Sequence, residues 1–210
     1  IALDRPSIMR MQIEALIRAS AGRNLSIMFP LISQDSEFYE ARALVDKVLT
    51  SEKRLGHNTP NEIKVGAMLE TPSLAYAPKK FLNAVDFLSV GGNDLKQFFF
   101  AADRENELVR RKYDTLSTSY LEYLKFVIDR CTKNKTPLSF CGEDAGRPLE
   151  AVCLCAIGFS SLSMRPASIG PVKHLLRRVN LQELSNILNS EIDSGSSNVR
   201  SVVEKYLNSI

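Results

Sequence analysis

The stretch that decides the fold runs from Asp86 to Arg104 and reads DFLSVGGNDLKQFFFAADR. The apolar run at residues 87–90 has the length and composition of a buried strand. Two glycines end this run; glycine adopts backbone angles that other residues resist, and it leaves no side chain in the way. Asn93 and Asp94 follow directly. The sequence therefore predicts a buried strand with polar side chains at its carboxyl end.

The same succession of buried strand, polar tip and helix recurs along the chain. Short apolar segments predict five strands, at residues 25–30, 63–69, 87–90, 138–141 and 161–164. Amphipathic patterns predict helices at residues 6–21, 33–56, 73–83, 117–134, 146–157, 168–179, 181–192 and 199–208, with 94–112 irregular or short-helical. Such alternation indicates parallel strands joined by right-handed crossovers, in either an open doubly wound sheet or part of a (βα)8 barrel.

The length of the chain favours the barrel. A complete (βα)8 barrel needs about 250 residues, whereas this chain has 210, starts with a helix and opens on Ile1 rather than Met. We therefore expect an α/β protein, a (βα)8 TIM-type barrel that lacks about its first three βα units. Residues 1–192 are predicted to form the carboxyl-terminal part of the barrel, and residues 193–210 a Ser/Gly linker and a terminal helix.

Composition excludes several classes of protein. A net charge of +3 without a Lys/Arg run argues against nucleic-acid binding. No apolar stretch approaches the roughly 20 residues of a membrane span, so no membrane association is predicted. The four cysteines follow no zinc spacing, and no secretory leader opens the chain. We expect free thiols and a cytoplasmic protein.

Polar residues at the strand tips are the candidates for chemistry. Glu70 follows the second strand and Asp94 the third, and together they could bind Mg²⁺, which takes one or two carboxylates and completes its shell with water and substrate. Asn93 and Arg104 could bind an anion, Arg through its bidentate fork. A single acid at a strand end is more often a helix cap or a solvated loop residue. Here several strand ends carry such polar residues, which favours a functional site.

Cys141 ends the fourth strand, directly before Gly142 and Glu143. Such a cysteine is either a small core residue or, at a ligand-facing edge, an acid or nucleophile. The residues alone leave both interpretations open. Packing roles are expected for the remaining cysteines, Cys131, Cys153 and Cys155.

Several long motifs, in order, carry a family resemblance: IMFP, VGAMLETPS, DFLSVGGNDLKQF, AADR, FCGEDAGRPLEA and SLSMRPASIGPVK. This set resembles the carboxyl-terminal domain of Enzyme I of the bacterial phosphotransferase system, a phosphoenolpyruvate–protein phosphotransferase. The GRPLEA and PASIGPVK versions are similar to its nitrogen-related branch. Pyruvate phosphate dikinase and phosphoenolpyruvate synthase share the same barrel.

The resemblance implies a role for each candidate residue. Glu70 and Asp94 would bind Mg²⁺, Asn93 and Arg104 the phosphate of phosphoenolpyruvate, and Cys141 would protonate the enolate to give pyruvate. The family also implies a homodimer and, for the whole protein, a histidine phosphocarrier as partner. Because the phosphate-accepting histidine belongs to a separate upstream domain, we expect this chain by itself not to complete phosphotransfer.

The chain departs from the family pattern at four positions. Gly92 stands where Thr or Ser is usual, Lys96 replaces a neutral residue, Asp144 replaces an apolar one, and Arg165 replaces a small one. Altered tuning of the site and a weakened enzyme both fit these departures. Two alternatives to a phosphotransferase stay open. One is a dikinase or synthase, since those enzymes share the barrel; the other is a non-catalytic dimerisation or regulatory module, which the departures at Gly92, Lys96 and Asp144 support.

Overall fold

A computed structural model describes residues 3–103, 105–106 and 112–209. The described residues contain five strands: β1 Leu25–Phe29, β2 Ile63–Leu69, β3 Leu88–Gly91, β4 Leu138–Cys141 and β5 Leu162–Ser163. Their α-helices are α1 Ser7–Ser20, α2 Asp35–Arg54, α3 Lys79–Ala84, α4 Gly92–Phe100, α5 Thr118–Lys133, α6 Pro148–Ile157, α7 Pro166–Leu176, α8 Leu181–Asp193 and α9 Val199–Asn208. Short 3-10 turns lie at Pro72–Tyr76 and Asp144–Gly146.

The five strands form one parallel sheet in the order β1-β2-β3-β4-β5. In a doubly wound sheet the strand order reverses at a switch point; here each strand pairs with the next one along the chain, as in a (βα)8 barrel. The α/β, barrel-type fold predicted from the alternation of elements is confirmed.

The core explains why these segments become strands. All four residues of β3 are buried, and β2 buries four of its seven, as expected of parallel strands covered on both faces. The flanking helices supply the other layer: Phe38 of α2 packs edge-to-face on Phe81 of α3, with ring centroids 5.3 Å apart. Among the described helices, none has the length and apolar character needed to cross a bilayer.

Prolines shift two of the predicted helices. The single helix expected at residues 73–83 is divided into the 3-10 turn and α3, because Pro78 lies between them and cannot donate the backbone hydrogen bond that would continue the first turn. The helix expected from residue 168 begins at Pro166, whose fixed φ suits a first turn. Pro171 therefore lies inside α7 rather than in its first turn.

The carboxyl-terminal helix packs on the rest of the molecule. Val199 and Val203 are buried, and Arg200 donates to both carboxylate oxygens of Asp114, at 2.6 and 2.8 Å, and to Glu150 at 2.7 Å. Burial by itself raises the pKa of Asp114. The hydrogen bonds from Arg200 and from the Leu116 N–H, with the attraction of the Arg200 and Lys96 charges, together outweigh burial, so the pKa lies below its ordinary value. The domain boundary at residues 192 and 193 stays a prediction.

Candidate active site at the carboxyl edge of the sheet

The sheet register brings the strand tips to one edge. Gly91 pairs with Cys141 and Cys141 pairs with Ser163, so β3, β4 and β5 end side by side. β2 ends at the same edge, because Leu69 pairs with Val90. In parallel α/β proteins, ligands bind at this end of the strands.

A cleft of about 560 Å³ opens at this edge. Its lining residues come from the loops that follow β3, β4 and β5: Asn93, Cys141, Gly142, Glu143, Gly146, Arg147, Ser163, Met164 and Arg165. Two predicted site residues, Asn93 and Cys141, thus line one cleft. Glu70 and Asp94 are not among its lining residues, and Arg104 lies outside the described residues.

Glu70 is held by a backbone N–H of the loop after β1 and lies against Gly91 of β3. Its side chain is buried, and Oε1 accepts a hydrogen bond from the Leu31 N–H at 2.6 Å. Its Oε2 lies so close to Gly91 that a Cβ there would be 2.7 Å away. Gly91 has an ordinary φ of −82°. The first glycine of the pair is therefore needed for space rather than for an unusual backbone angle.

Gly92 makes room for an aromatic ring. A Cβ at this position would lie 2.4 Å from Cζ of Phe140, whose ring packs on Phe159 with centroids 5.3 Å apart. Real Cβ atoms do not approach carbon so closely, so a Thr or Ser at residue 92 would displace the Phe140 ring. The departure at Gly92 is thus matched to Phe140, the neighbour of Cys141 in β4.

Asn93 joins the loops that follow β3 and β4. Its Oδ1 accepts the Glu143 N–H at 3.2 Å, and a Cβ on Gly142, whose φ is +120°, would lie 3.1 Å from the same oxygen. The Nδ2 amino group makes no hydrogen bond with any described residue. Asn93 therefore offers two N–H donors to a ligand in the cleft.

The departures at Lys96 and Asp144 form one ion pair, in which Asp144 is buried and Lys96 is partly buried. Lys96 Nζ lies 2.8 Å from Asp144 Oδ2, and their side chains are 19% and 4% exposed. The Thr115 hydroxyl donates to the same oxygen at 2.5 Å and accepts from Lys96 Nζ at 3.0 Å. A charge removed from water is tolerated only with a partner of opposite charge. Lys96 and Asp144 therefore occur together, because each neutralises the charge of the other. The pair ties the first turns of α4 to the 3-10 turn that follows Cys141.

The other thiols of the chain lie in a different environment from that of Cys141, which is half-buried and lines the cleft. Burial raises the pKa of Cys131 to about 11 and that of Cys153 to about 12, and it also raises the pKa of Cys155. Their positions agree with the packing roles expected from the sequence. Of the four cysteines, Cys141 is the one that lines the cleft.

The carboxylates of Glu70 and Asp94 suit a hard divalent cation. The described residues contain no group of three or more His, Cys, Asp or Glu side chains placed to hold a metal. Mg²⁺ does not need such a cage, since it binds through one or two carboxylates and takes water and substrate oxygens for the rest. Glu70 is buried beside β3, and Asp94 lies in the first turn of α4; their role as Mg²⁺ ligands stays a prediction.

Sequence reasoning missed Thr115 and Arg147. Thr115 reaches Asp144 from 29 residues away, and no local pattern marks it. Arg147 lines the cleft and lies 3.3 Å from Asp144 Oδ1. It belongs to the FCGEDAGRPLEA motif, which could have marked it as a site residue.

Fold and site together define an α/β domain with a cleft at the carboxyl edge of a parallel sheet, whose polar and cationic side chains suit an anionic ligand. Residues 1–181 match the family described as PEP-utilising enzyme, PEP-binding domain. The chain belongs to this family of phosphoenolpyruvate-binding domains, and the resemblance noted in its motifs is confirmed at that level.

Relatives of known name agree with this membership. The chain is 35% identical to a phosphoenolpyruvate-dependent phosphotransferase system protein of Salmonella typhimurium over 196 residues, which cover 92% of this chain and 26% of that protein. It is 34% identical over 208 residues to a phosphoenolpyruvate-protein phosphotransferase of Haemophilus influenzae, covering 99% of this chain and 36% of that protein. The chain thus spans about a quarter to a third of the length of these relatives.

A solved structure of a citrate lyase from Burkholderia xenovorans superposes with a TM-score of 0.54 at 16% sequence identity. The match covers 90% of this chain and 60% of that one. At this identity the similarity concerns the fold alone.

Proposed function

We propose that this chain is the phosphoenolpyruvate-binding part of a phosphoenolpyruvate–protein phosphotransferase of the Enzyme I type, nitrogen-related branch. The observation that carries the proposal is the cleft in which Asn93 and Cys141 meet at the carboxyl edge of the sheet. Family membership and the names of the relatives support the substrate.

Each candidate residue has a role in this proposal. The Asn93 amide donates to the phosphate of the substrate, and Arg104 adds a cationic fork to the same group. Glu70 and Asp94 would hold Mg²⁺, which when bound would offset the negative charge of the phosphoryl group.

Cys141 supplies the proton that completes the reaction. When the O–P bond breaks and the phosphoryl group leaves, an enolate remains, and its methylene carbon needs a proton to become the methyl group of pyruvate. The Cys141 thiol donates that proton and becomes a thiolate, which regains a proton from solvent. Its place in the cleft beside Asn93 supports this role.

In the whole protein, the phosphoryl acceptor would be a histidine of another domain, and the next recipient a histidine phosphocarrier. We propose a homodimer in the cytoplasm, as the family resemblance implies. Among the described residues, no feature favours a barrel of the dikinase or synthase type.

The alternative of a non-catalytic module loses much of its support. That alternative was founded on Gly92, Lys96 and Asp144. Gly92 is matched by the ring of Phe140, and Lys96 and Asp144 neutralise each other. These departures therefore leave a packed, charge-balanced site rather than a damaged one.

Calorimetric titration of phosphoenolpyruvate into the chain, with and without Mg²⁺, tests the proposal. We expect Mg²⁺-dependent binding that is lost in Asp94→Ala and retained in Asp129→Ala, which removes an exposed acid on α5. Cys141→Ser should also bind, because the thiol acts after binding. Absence of binding, or binding that ignores both Mg²⁺ and Asp94, would contradict the proposal.

A further inference from the structure

Arg165 is a cation of the cleft for which the described structure provides no partner. It directly precedes α7, two residues beyond the end of β5, and lines the same cleft as Cys141. Its exposed guanidinium makes no hydrogen bond or ion pair with any described residue. Because Arg offers a rigid fork of N–H donors, an unpaired one in a concave site is suited to a planar anion.

The other charges of the cleft are already balanced. Its charged lining residues are Glu143, Arg147 and Arg165. Arg147 lies 4.0 Å from Glu143 and 3.3 Å from the carboxylate of Asp144, and Asp144 is also paired with Lys96. The net positive charge that remains in the lining is that of Arg165. An anionic ligand group would complete the balance.

The strand order sets where that group would lie. Asn93 follows β3, Cys141 ends β4 and Arg165 follows β5, and neighbouring strands are about 4.8 Å apart. Asn93 and Arg165 therefore stand on opposite sides of Cys141. The central carbon of phosphoenolpyruvate carries three groups: the phosphate, the methylene carbon and the carboxylate. With the phosphate at Asn93 and the methylene carbon at Cys141, the carboxylate is the group left for Arg165.

We propose that Arg165 binds the carboxylate of the three-carbon acid in the cleft and so serves as a substrate-binding residue. This inference rests on the proposed function. Arg165 then acts on phosphoenolpyruvate and pyruvate alike, since both carry the carboxylate, and it holds pyruvate after the phosphoryl group has left. The departure from a small residue at this position thereby gains a role in substrate affinity.

The test compares three ligands in the wild-type chain and in Arg165→Gln: phosphoenolpyruvate, pyruvate and inorganic phosphate, each with Mg²⁺. A charge-assisted hydrogen-bonded pair contributes about 1.5 kcal/mol or more, which is about tenfold in Kd. We expect Arg165→Gln to weaken phosphoenolpyruvate and pyruvate by about this common factor and to leave phosphate unchanged. Arg177→Gln removes an exposed arginine at the other end of α7 and should change none of the three.

The outcomes separate this inference from the proposed function. If wild type binds phosphoenolpyruvate and pyruvate but Arg165→Gln binds pyruvate equally well, the carboxylate role is wrong while the proposed function stands. Weakened phosphate binding in the variant would assign Arg165 to the phosphate instead. A wild-type chain that binds neither acid refutes the proposed function and the Arg165 role together.

Discussion

At the scale of single residues, Gly92 shows how a missing side chain shapes the site. A Cβ at Gly92 would lie 2.4 Å from the Phe140 ring, whereas a Cβ at Gly170, inside α7, would meet nothing within 4 Å. We expect Gly92→Ala to lower the free energy of unfolding by about 1–3 kcal/mol, the usual effect of overpacking. Gly170→Ala should raise it by up to about 1 kcal/mol through helix propensity.

Urea denaturation of the two variants measures this contrast. Equal stabilities for Gly92→Ala and Gly170→Ala would show that the Phe140 ring moves aside without strain. A second variant, Phe140→Leu combined with Gly92→Ala, should recover part of the loss that Gly92→Ala causes, because it removes the ring atoms in question.

Glu52, away from the cleft, gives stability a defined dependence on pH. It is buried in α2 and accepts hydrogen bonds from Arg18 of α1 at 2.6 and 2.9 Å, with His57 Nδ1 at 2.7 Å. The Arg18 hydrogen bonds lower its pKa from 4.5 to about 2. Because the folded-state pKa is the lower one, the stabilisation is complete above the unfolded pKa and is lost as pH falls from about 4.5 towards 2.

We therefore expect the wild-type chain to lose stability across that acid range more steeply than Glu52→Gln does, as measured by urea midpoints at a series of pH values. At neutral pH, Glu52→Gln should be the less stable of the two. Parallel pH profiles for both proteins would contradict this linkage.

At the scale of elements, the Lys96–Asp144 pair joins α4 to the turn after β4. Removing one partner leaves the other charge buried, which destabilises proteins by about 3–5 kcal/mol. We expect Asp144→Leu to lower the free energy of unfolding by such an amount, and Lys96→Met by less, because Asp144 keeps its ion pair with Arg147 at 3.3 Å. The double variant should lose much less than the sum, since it leaves neither charge unpaired.

A double-mutant cycle of unfolding free energies tests this coupling. The ion pair i,i+4 between Arg10 and Glu14 on α1, whose side chains are 54% and 25% exposed, is the matched control, and its removal should have an effect below about 1 kcal/mol. If the losses in unfolding free energy at Lys96 and Asp144 are additive, the two residues do not compensate each other.

The elements also show what sequence patterns can predict. The predicted strand bounds agree with those of the structure to within one or two residues, because a short apolar run between polar segments is typical of a buried strand. The helix α4 was expected only as irregular or short-helical structure, since it starts at a glycine and its phenylalanines blur the amphipathic pattern. It is held instead by distant contacts, as Phe99 packs on Tyr120 and Tyr123 of α5 with centroids 5.3 and 5.1 Å apart.

The same limit applies to the candidate site. Periodicity and strand tips pointed to Asn93 and Cys141, which the sheet register brings to one edge. No local pattern could show that Lys96 meets Asp144 across 48 residues, because pairing at that separation is decided by how the whole chain folds. The sequence therefore predicts which side chains lie at the carboxyl edge of the sheet better than it predicts which residues they contact.

At the scale of the whole molecule, the sequential strand order determines which strands hold the candidate residues. β1 and β5 are the outer strands of the described sheet, while β2, β3 and β4 are hydrogen-bonded on both sides. Glu70, Asp94 and Cys141 stand at the tips of those three inner strands. The outer strands contribute mainly their loops, including the one that carries Arg165.

This arrangement has a consequence for local opening of the native state. Strands with two neighbours open only when a large part of the sheet opens, whereas outer strands fray at little expense of free energy. Amide hydrogens of β2, β3 and β4 should thus exchange with solvent last among the described strands, and transient fraying of β1 or β5 should leave Glu70, Asp94 and Cys141 in register. The proposed chemistry would then rest on the described strands that are expected to exchange most slowly, and the proposed contact of Arg165 with a carboxylate on the loop that follows an outer strand.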